Sequence, residues 1–400
     1  MFSLKTTIIF FALSIGLSAC ASTATPTALP PETNVPEPAP AIETVTPPPT
    51  DEPLPPGAEA QFTTDFSKHS ISYDDVLSGG PPKDGIPAID VPSYVSIADA
   101  DLWINDREPV IFVQVDGVAR AYPLQILTWH EIVNDVLNDK PLSISFCPLC
   151  NTAIVFEREF DGQVLDFGTT GRLRYSNLIM YDRQTETWWQ QATGEGIAGE
   201  YTGEQLTYYP AALISWADFK AEYPNGDVLS KETGYNRDYG RNPYAGYDDI
   251  NQTPFLFDGV YIDKLPAMAR VLTVELNGET VAYPYTTLQE LNVINDNLGD
   301  ENIVVFWVKG TASALDASQI EAGQDVGAAV AYSRSSATRT LSFIAENGLI
   351  RDVETNSVWN IFGQAIEGEL EGEQLTPIVA VNHFWFSWAA FKPETKIYQP

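Results

Sequence analysis

The most constraining feature of this sequence is that much of it is written twice. Asp116-Gly117-Val118-Ala119-Arg120-Ala121-Tyr122-Pro123 is echoed by Asn277-Gly278-Glu279-Thr280-Val281-Ala282-Tyr283-Pro284. Each reads as a strand, an Asp-Gly or Asn-Gly turn, a second strand and a Tyr-Pro stop, which is a β-hairpin signal. A helix-like stretch follows in both. Asn134-Asp135 then matches Asn295-Asp296, and apolar strands come at 142–146 and 302–306. Further on, Gly203-Glu204-Gln205-Leu206 matches Gly372-Glu373-Gln374-Leu375, and Ser215-Trp216-Ala217-Asp218-Phe219 matches Ser387-Trp388-Ala389-Ala390-Phe391. Correspondences kept in one order predict two tandem copies of a single α+β, strand-rich domain, the second degenerate. The copies are expected at 61–230 and 264–400, joined by a Tyr/Asp/Gly-rich connector at 231–263.

Residues 1–19 read as an export signal rather than as part of the fold. Lys5 supplies a positive start, and the apolar run Ile8 to Ile15 is too short to span a bilayer. Leu17-Ser18-Ala19-Cys20 resembles a bacterial lipobox, so Cys20 is expected to be lipidated and to anchor the chain to a cell membrane on its extracytoplasmic side. Ordinary signal cleavage is the alternative. Residues 20–60 are rich in Pro, Thr, Ala and Glu and nearly devoid of large apolar side chains, which predicts a disordered tether. With 22 basic against 54 acidic side chains the net charge is −32. That argues against nucleic acid or anionic lipid as partners, since both need a basic footprint.

The one obvious chemical device is Cys147-Pro148-Leu149-Cys150, carried between apolar runs at 142–146 and 153–156. The duplication acts as a filter on what surrounds it. Asp182, Trp189 and Gly194 find partners in Asp352, Trp359 and Gly363 and so belong to the scaffold. The cysteines fall opposite Trp307 and Gly310, His130 falls opposite Leu291, and the loop Gly168 to Asn177 has no full counterpart. The first copy is therefore read as the working domain.

Four readings of the site stand together. As a metal centre, Cys147 and Cys150 lack the second C-x-x-C that a closed zinc site needs, and His130 is the natural third ligand of an open one, for zinc or copper. As a redox dithiol, the pair would need a positive neighbour to lower one thiol pKa, and Arg172 or Arg174 on the unmatched loop is the candidate. Its partner would be a protein thiol or a small molecule. The candidate catalytic set is Cys147, Cys150, His130 and Arg172. As an inert disulfide, the bond would close so short a loop that little chain entropy is removed. As a non-catalytic binding module, Trp188-Trp189-Gln190-Gln191 and Tyr235, Tyr239, Tyr244 and Tyr247 would line an aromatic cleft. Gly168 and Gly171 are weaker candidates for a backbone anion nest. His69 and His383 lie outside these motifs, and no H-E-x-x-H, phosphate loop or Ser/His/Asp order is present.

Several of these motifs together resemble the DUF3179 family, a domain of unknown function. They are Gly85-Ile86-Pro87-Ala88, Trp129 to Asp135, Phe146 to Ala153, Phe167 to Gly171, Tyr181 to Thr185 and Gly194 to Gly199. The likeness covers most of the chain from about Ile71. It implies no established activity, although possible selenoproteins among the relatives favour redox chemistry at the C-x-x-C. The family usually has Gly after the second Cys, where this chain has Asn151. Asn tolerates left-handed backbone better than most residues, so a tight turn there is still expected.

Overall fold

The computed structural model describes residues 52–335 and 339–400. The expected export signal, Cys20 and most of the expected tether lie outside the described residues. The chain is strand-rich with short helices, and among the described residues no helix is long and apolar enough to cross a membrane.

Three sheets build the first half. The hairpin Pro109–Val115 and Val118–Pro123 turns on Asp116 and Gly117 at φ 47° and 85°, as an Asp-Gly turn demands. Ala212–Ser215 extends it on one side, and Asp227–Leu229 with Tyr94–Ser96 on the other. A second sheet runs Ile132–Leu137, Lys140–Cys147, Thr152–Glu157, Tyr208–Tyr209, and carries the cysteines. The third runs Phe167–Arg174, Asn177–Asp182, Trp188–Gln190, Gly196–Ala198, with Val76–Ser78 as an extra edge strand.

The second half has the same three strand orders without those extra edge strands. Its sheets run Ala380–Phe384, Arg270–Leu276, Glu279–Pro284, Lys396–Ile397; then Val293–Leu298, Glu301–Val308, Ala328–Ser333, Thr376–Pro377; then Phe343–Glu346, Leu349–Asp352, Val358–Trp359, Ala365–Glu367. The halves are not separate cores. One buried cluster joins Val110, Trp216 and Phe219 to Phe306, Tyr332 and Phe343. Burying side chains of this size contributes about 1.5–3 kcal/mol each, which ties the halves together.

Strand register corrects one sequence correspondence. Ile132 pairs with Ser145 and Asn134 with Ser143, while Val293 pairs with Phe306 and Asn295 with Val304. Cys147 therefore stands opposite Val308, and Trp307 opposite Phe146, one residue away from the expected match. Cys147 pairs across the turn with Thr152, whereas Val308 pairs with Ala328. Residues 309–327 thus replace the short turn Pro148 to Asn151, and Cys150 has no counterpart there.

The expected tether boundary at 60 is also too late. Ala58–Gln61 is a short helix, Ala58 and Phe62 are buried, and the Phe62 ring packs edge-on to Trp188 at 5.3 Å. The apolar Ala58 and Phe62 seal the third sheet, so the packed body begins before them.

Candidate thiol centre

The C-x-x-C turn is set by its own residues. Cys147 ends its strand extended at φ −99°, and Pro148 starts a 3-10 turn over Pro148–Cys150. Proline fixes φ near the value that turn requires. Asn151 then takes the left-handed conformation at φ 51° and ψ 37°, and Thr152 resumes the sheet. Asn is the non-glycine residue best suited to that reversal.

Both cysteines are free and buried, 2% and 0% exposed. The two cysteines pack in one buried cluster with Ile132 and Phe156. Cys147 also donates Sγ–H to the Ser176 carbonyl at 3.7 Å. Burial, with Cys150 and the Glu131 carboxyl beside it, pushes the Cys147 thiol well above its ordinary value, while the Leu178 backbone N–H pulls the other way. Cys147 therefore rests as a protonated thiol, not as an exposed thiolate.

Glu131 is the residue that sequence reasoning missed. It caps the helix Leu124–His130 at φ 60° and ψ −32°, a region few non-glycine residues enter. Its N–H bonds the Leu127 carbonyl at 2.7 Å and its carbonyl accepts from Phe146 N–H at 2.8 Å. Those two bonds hold the backbone in this shape. The residue is 8% exposed, and its carboxyl has no hydrogen bond among the described residues and is pushed up to about 8 by burial. Comparison of the two halves could have found it, because the second half places Asn292 here at φ 59° and ψ −27°.

His130 does not join the thiols. Its Nδ1–H donates to the Pro87 carbonyl at 2.7 Å, and Nε2 accepts from the Tyr239 hydroxyl at 2.6 Å. Tyr239 in turn accepts from Thr233 Oγ1 at 2.6 Å. Both ring nitrogens are occupied, the imidazole is neutral, and burial lowers its pKa further. The expected Cys147, Cys150, His130 ligand set is thus not assembled. Among the described residues no group of three or more His, Cys, Asp or Glu side chains is gathered as for a metal ion.

Arg172 is likewise elsewhere. Its guanidinium donates to the carbonyls of Thr170 and Pro56 at 3.1 and 3.0 Å and lies over the Phe62 and Trp188 rings. It locks the start of the packed chain onto the third sheet and is not among the groups that perturb Cys147. The loop that carries it does reach the thiols, but through Ser176. The hairpin spans 167–182 here and only 343–352 in the second half, and the extra length delivers that carbonyl. Gly171 is no anion nest: a Cβ there would lie 2.0 Å from the Pro81 carbonyl oxygen, so close backbone packing requires glycine.

Trp188 and Trp189 are fully buried and so line no cleft. The connector tyrosines divide. Tyr239 holds His130, while Tyr244 and Tyr247 pack on the thiol cluster. Tyr247 Oη donates to the Leu149 carbonyl at 3.0 Å and accepts from Phe255 N–H at 3.2 Å, and Ser176 Oγ donates to the Phe255 carbonyl. These contacts encircle the turn. Apart from a turn at 255–256, residues 253–261 make no main-chain to main-chain hydrogen bond among the described residues, and Phe257 pins them against Phe386 at a ring distance of 5.1 Å.

One contact comes from the far half. His383 Nδ1 is hydrogen-bonded to Thr152 Oγ1 at 2.8 Å, beside Cys150, and its Nε2 is buried without a partner. Burial holds the His383 pKa down to about 3.

The sheets and this turn define a strand-rich α+β protein with a buried dithiol at a sheet end. The chain belongs to the DUF3179 family, described as "Protein of unknown function", whose model matches residues 83–395. No curated protein and no solved structure matches it.

Proposed function

We propose that this chain is an extracytoplasmic, lipid-anchored thiol–disulfide redox protein. Its centre would be Cys147 and Cys150, with Glu131 as proton acceptor. The observation that carries the reading is the buried, unpartnered Glu131 carboxyl beside a free thiol pair, at a left-handed position where the other half has Asn292. A non-glycine residue held there costs on the order of 1–3 kcal/mol, and such strain gathers at functional sites. The anchor rests on the Leu17 to Cys20 motif, and the two matching strand orders support a duplicated domain with a degenerate second copy.

Ionised Glu131 takes the proton of Cys147, and the thiolate attacks a partner disulfide. One partner sulfur leaves as thiolate and collects that proton. Cys150 then attacks Cys147 Sγ, and its proton goes to the second departing sulfur. Two thiols and one disulfide thus become one disulfide and two thiols.

Equilibration with glutathione redox buffers, followed by alkylation and intact-mass measurement, tests this. The expected result is a single Cys147–Cys150 disulfide titrating between about −120 and −300 mV. If both thiols stay alkylatable in denaturant at every poise, the reading fails. Detergent partition of wild type against Cys20→Ser tests the anchor separately.

A further inference from the structure

A cavity of about 860 Å³ opens between the halves beside Trp388, whose ring packs 4.9 Å from that of His383, and aromatic and aliphatic side chains share its walls with polar ones. Tyr175, Tyr208, Trp388 and Phe391 line it with Val381 and Ile378. The volume falls within the range of about 300–1,000 Å³ usual for small-molecule sites.

Most polar groups of these walls already have a partner within the protein. Tyr208 Oη donates to the Ala192 carbonyl at 3.3 Å, Trp388 Nε1 to Thr395 Oγ1 at 2.8 Å, and Thr273 Oγ1 to the Val381 carbonyl at 3.3 Å. Gln205 Nε2 donates to the Thr193 carbonyl at 2.6 Å. Lys392 neutralises Glu275 at 2.9 Å, and Glu195 accepts from Ser70 at 3.1 Å. An apolar body needs no further hydrogen-bond partner from these walls.

Arg174 is the exception. Its guanidinium is stacked at 4.7 Å from the Tyr175 ring and 5.5 Å from that of Phe391, which fixes its plane. Asp75 lies 3.6 Å from Nε, an ion pair without a hydrogen bond, and that Nε is buried with no hydrogen-bond partner. The Asp75 carboxylate is committed to the Tyr175 hydroxyl at 2.9 Å. A guanidinium carries N–H donors in a fork that matches a carboxylate. We infer that the cleft binds an apolar carboxylate, its hydrocarbon body between the aromatic walls and its head on Arg174. This site is distinct from the thiol centre and stands whether or not the redox reading holds.

Displacement of the fluorescent apolar anion anilinonaphthalene sulfonate from the full chain tests it, with each variant first shown folded by near-UV circular dichroism. Dodecanoate should displace the probe from a single saturable site, and neutral dodecanol about tenfold less well. Arg174→Gln should weaken dodecanoate about tenfold and bring it level with dodecanol. Ala390→Trp, on the partly exposed helix face that lines the cleft, should abolish both. Equal displacement by dodecanol, undiminished dodecanoate binding by Arg174→Gln, or wild-type displacement from Ala390→Trp would each overturn the inference.

Discussion

Two regions occur once in each half and show what is held fixed and what is not. At the first, Asp182 accepts from Thr185 N–H at 2.6 Å, Thr185 Oγ1 at 2.9 Å and Trp189 Nε1 at 2.9 Å. Asp352 accepts from Thr355 N–H at 2.6 Å, Thr355 Oγ1 at 2.8 Å and Trp359 Nε1 at 3.0 Å. The side chains and the geometry both repeat. At the second, the joint after the helix, the backbone repeats and the side chain does not. Glu131 and Asn292 share φ, ψ and both hydrogen bonds, with N–H to the Leu127 or Leu288 carbonyl at 2.7 Å in each. A fold that tolerates Asn at this joint has no structural need of Glu, so the carboxyl must answer to something other than the joint.

The largest expected effect tests the region that repeats fully. Asp182→Ala and Asp352→Ala each strand a buried indole N–H, a hydroxyl and a backbone N–H. Each should lose on the order of 3–5 kcal/mol in denaturant unfolding, and a large disparity between them would break the equivalence of the halves. Burial pushes the Asp352 carboxyl up, but the hydrogen bonds from Trp359, Thr355 and Ser357 outweigh it and hold the pKa below 3.8. Its stabilisation is therefore present above the unfolded value and fades as pH falls through the lower folded one.

A smaller effect, of opposite sign, is expected at the joint. Glu131→Asn should stabilise the chain by about 1–3 kcal/mol at neutral pH while slowing thiol oxidation. Because burial raises the Glu131 pKa to about 8, the folded state holds that proton more tightly than the unfolded chain does. The associated stability is complete below about pH 4.3 and is lost as pH climbs through 8. Thermal midpoints of wild type should thus fall relative to Glu131→Gln across that window, and parallel curves would remove Glu131 from the buried site. The smallest effect belongs to His130→Leu, which copies Leu291. It strands the Tyr239 hydroxyl and Pro87 carbonyl, costing about 1–2 kcal/mol, and should leave the oxidation rate unchanged. A changed rate would return the imidazole to the centre.

What could be read in advance follows from how local each signal is. The Asp-Gly and Asn-Gly hairpins and the left-handed Asn151 depend on residues near in sequence, and the structure has each of them. The one-residue slip at Trp307 arose because adjacent apolar runs such as Ser145-Phe146 and Phe306-Trp307 look alike when displaced by one. Only the ladder fixes which face each side chain takes. His130 and Arg172 are misplaced for a different reason. Their lack of a counterpart in the second half says nothing of which way a helix end or a hairpin strand turns its side chains, and both turn away. Glu131 escaped notice because its significance lies in a backbone angle and a buried charge, neither of which is spelled by the residue name. His383 reaches the site only because the halves share one core.

The segment 253–261 carries a kinetic consequence. Held by few main-chain bonds of its own, it can come away without disrupting a sheet, and Ser176 and Tyr247, which bond Phe255, are the same groups that bond the thiol turn. Local opening of so lightly bonded a stretch requires far less free energy than global unfolding. The observed reactivity of Cys147 is then the product of two quantities, the fraction of molecules open and the intrinsic rate once open. At high reagent concentration the labelling rate should stop rising and settle at the opening rate itself. A thiol assay on the native chain would in that regime report a conformational clock, and two proteins with identical cysteine acidity would score differently if their Phe257 anchors differed.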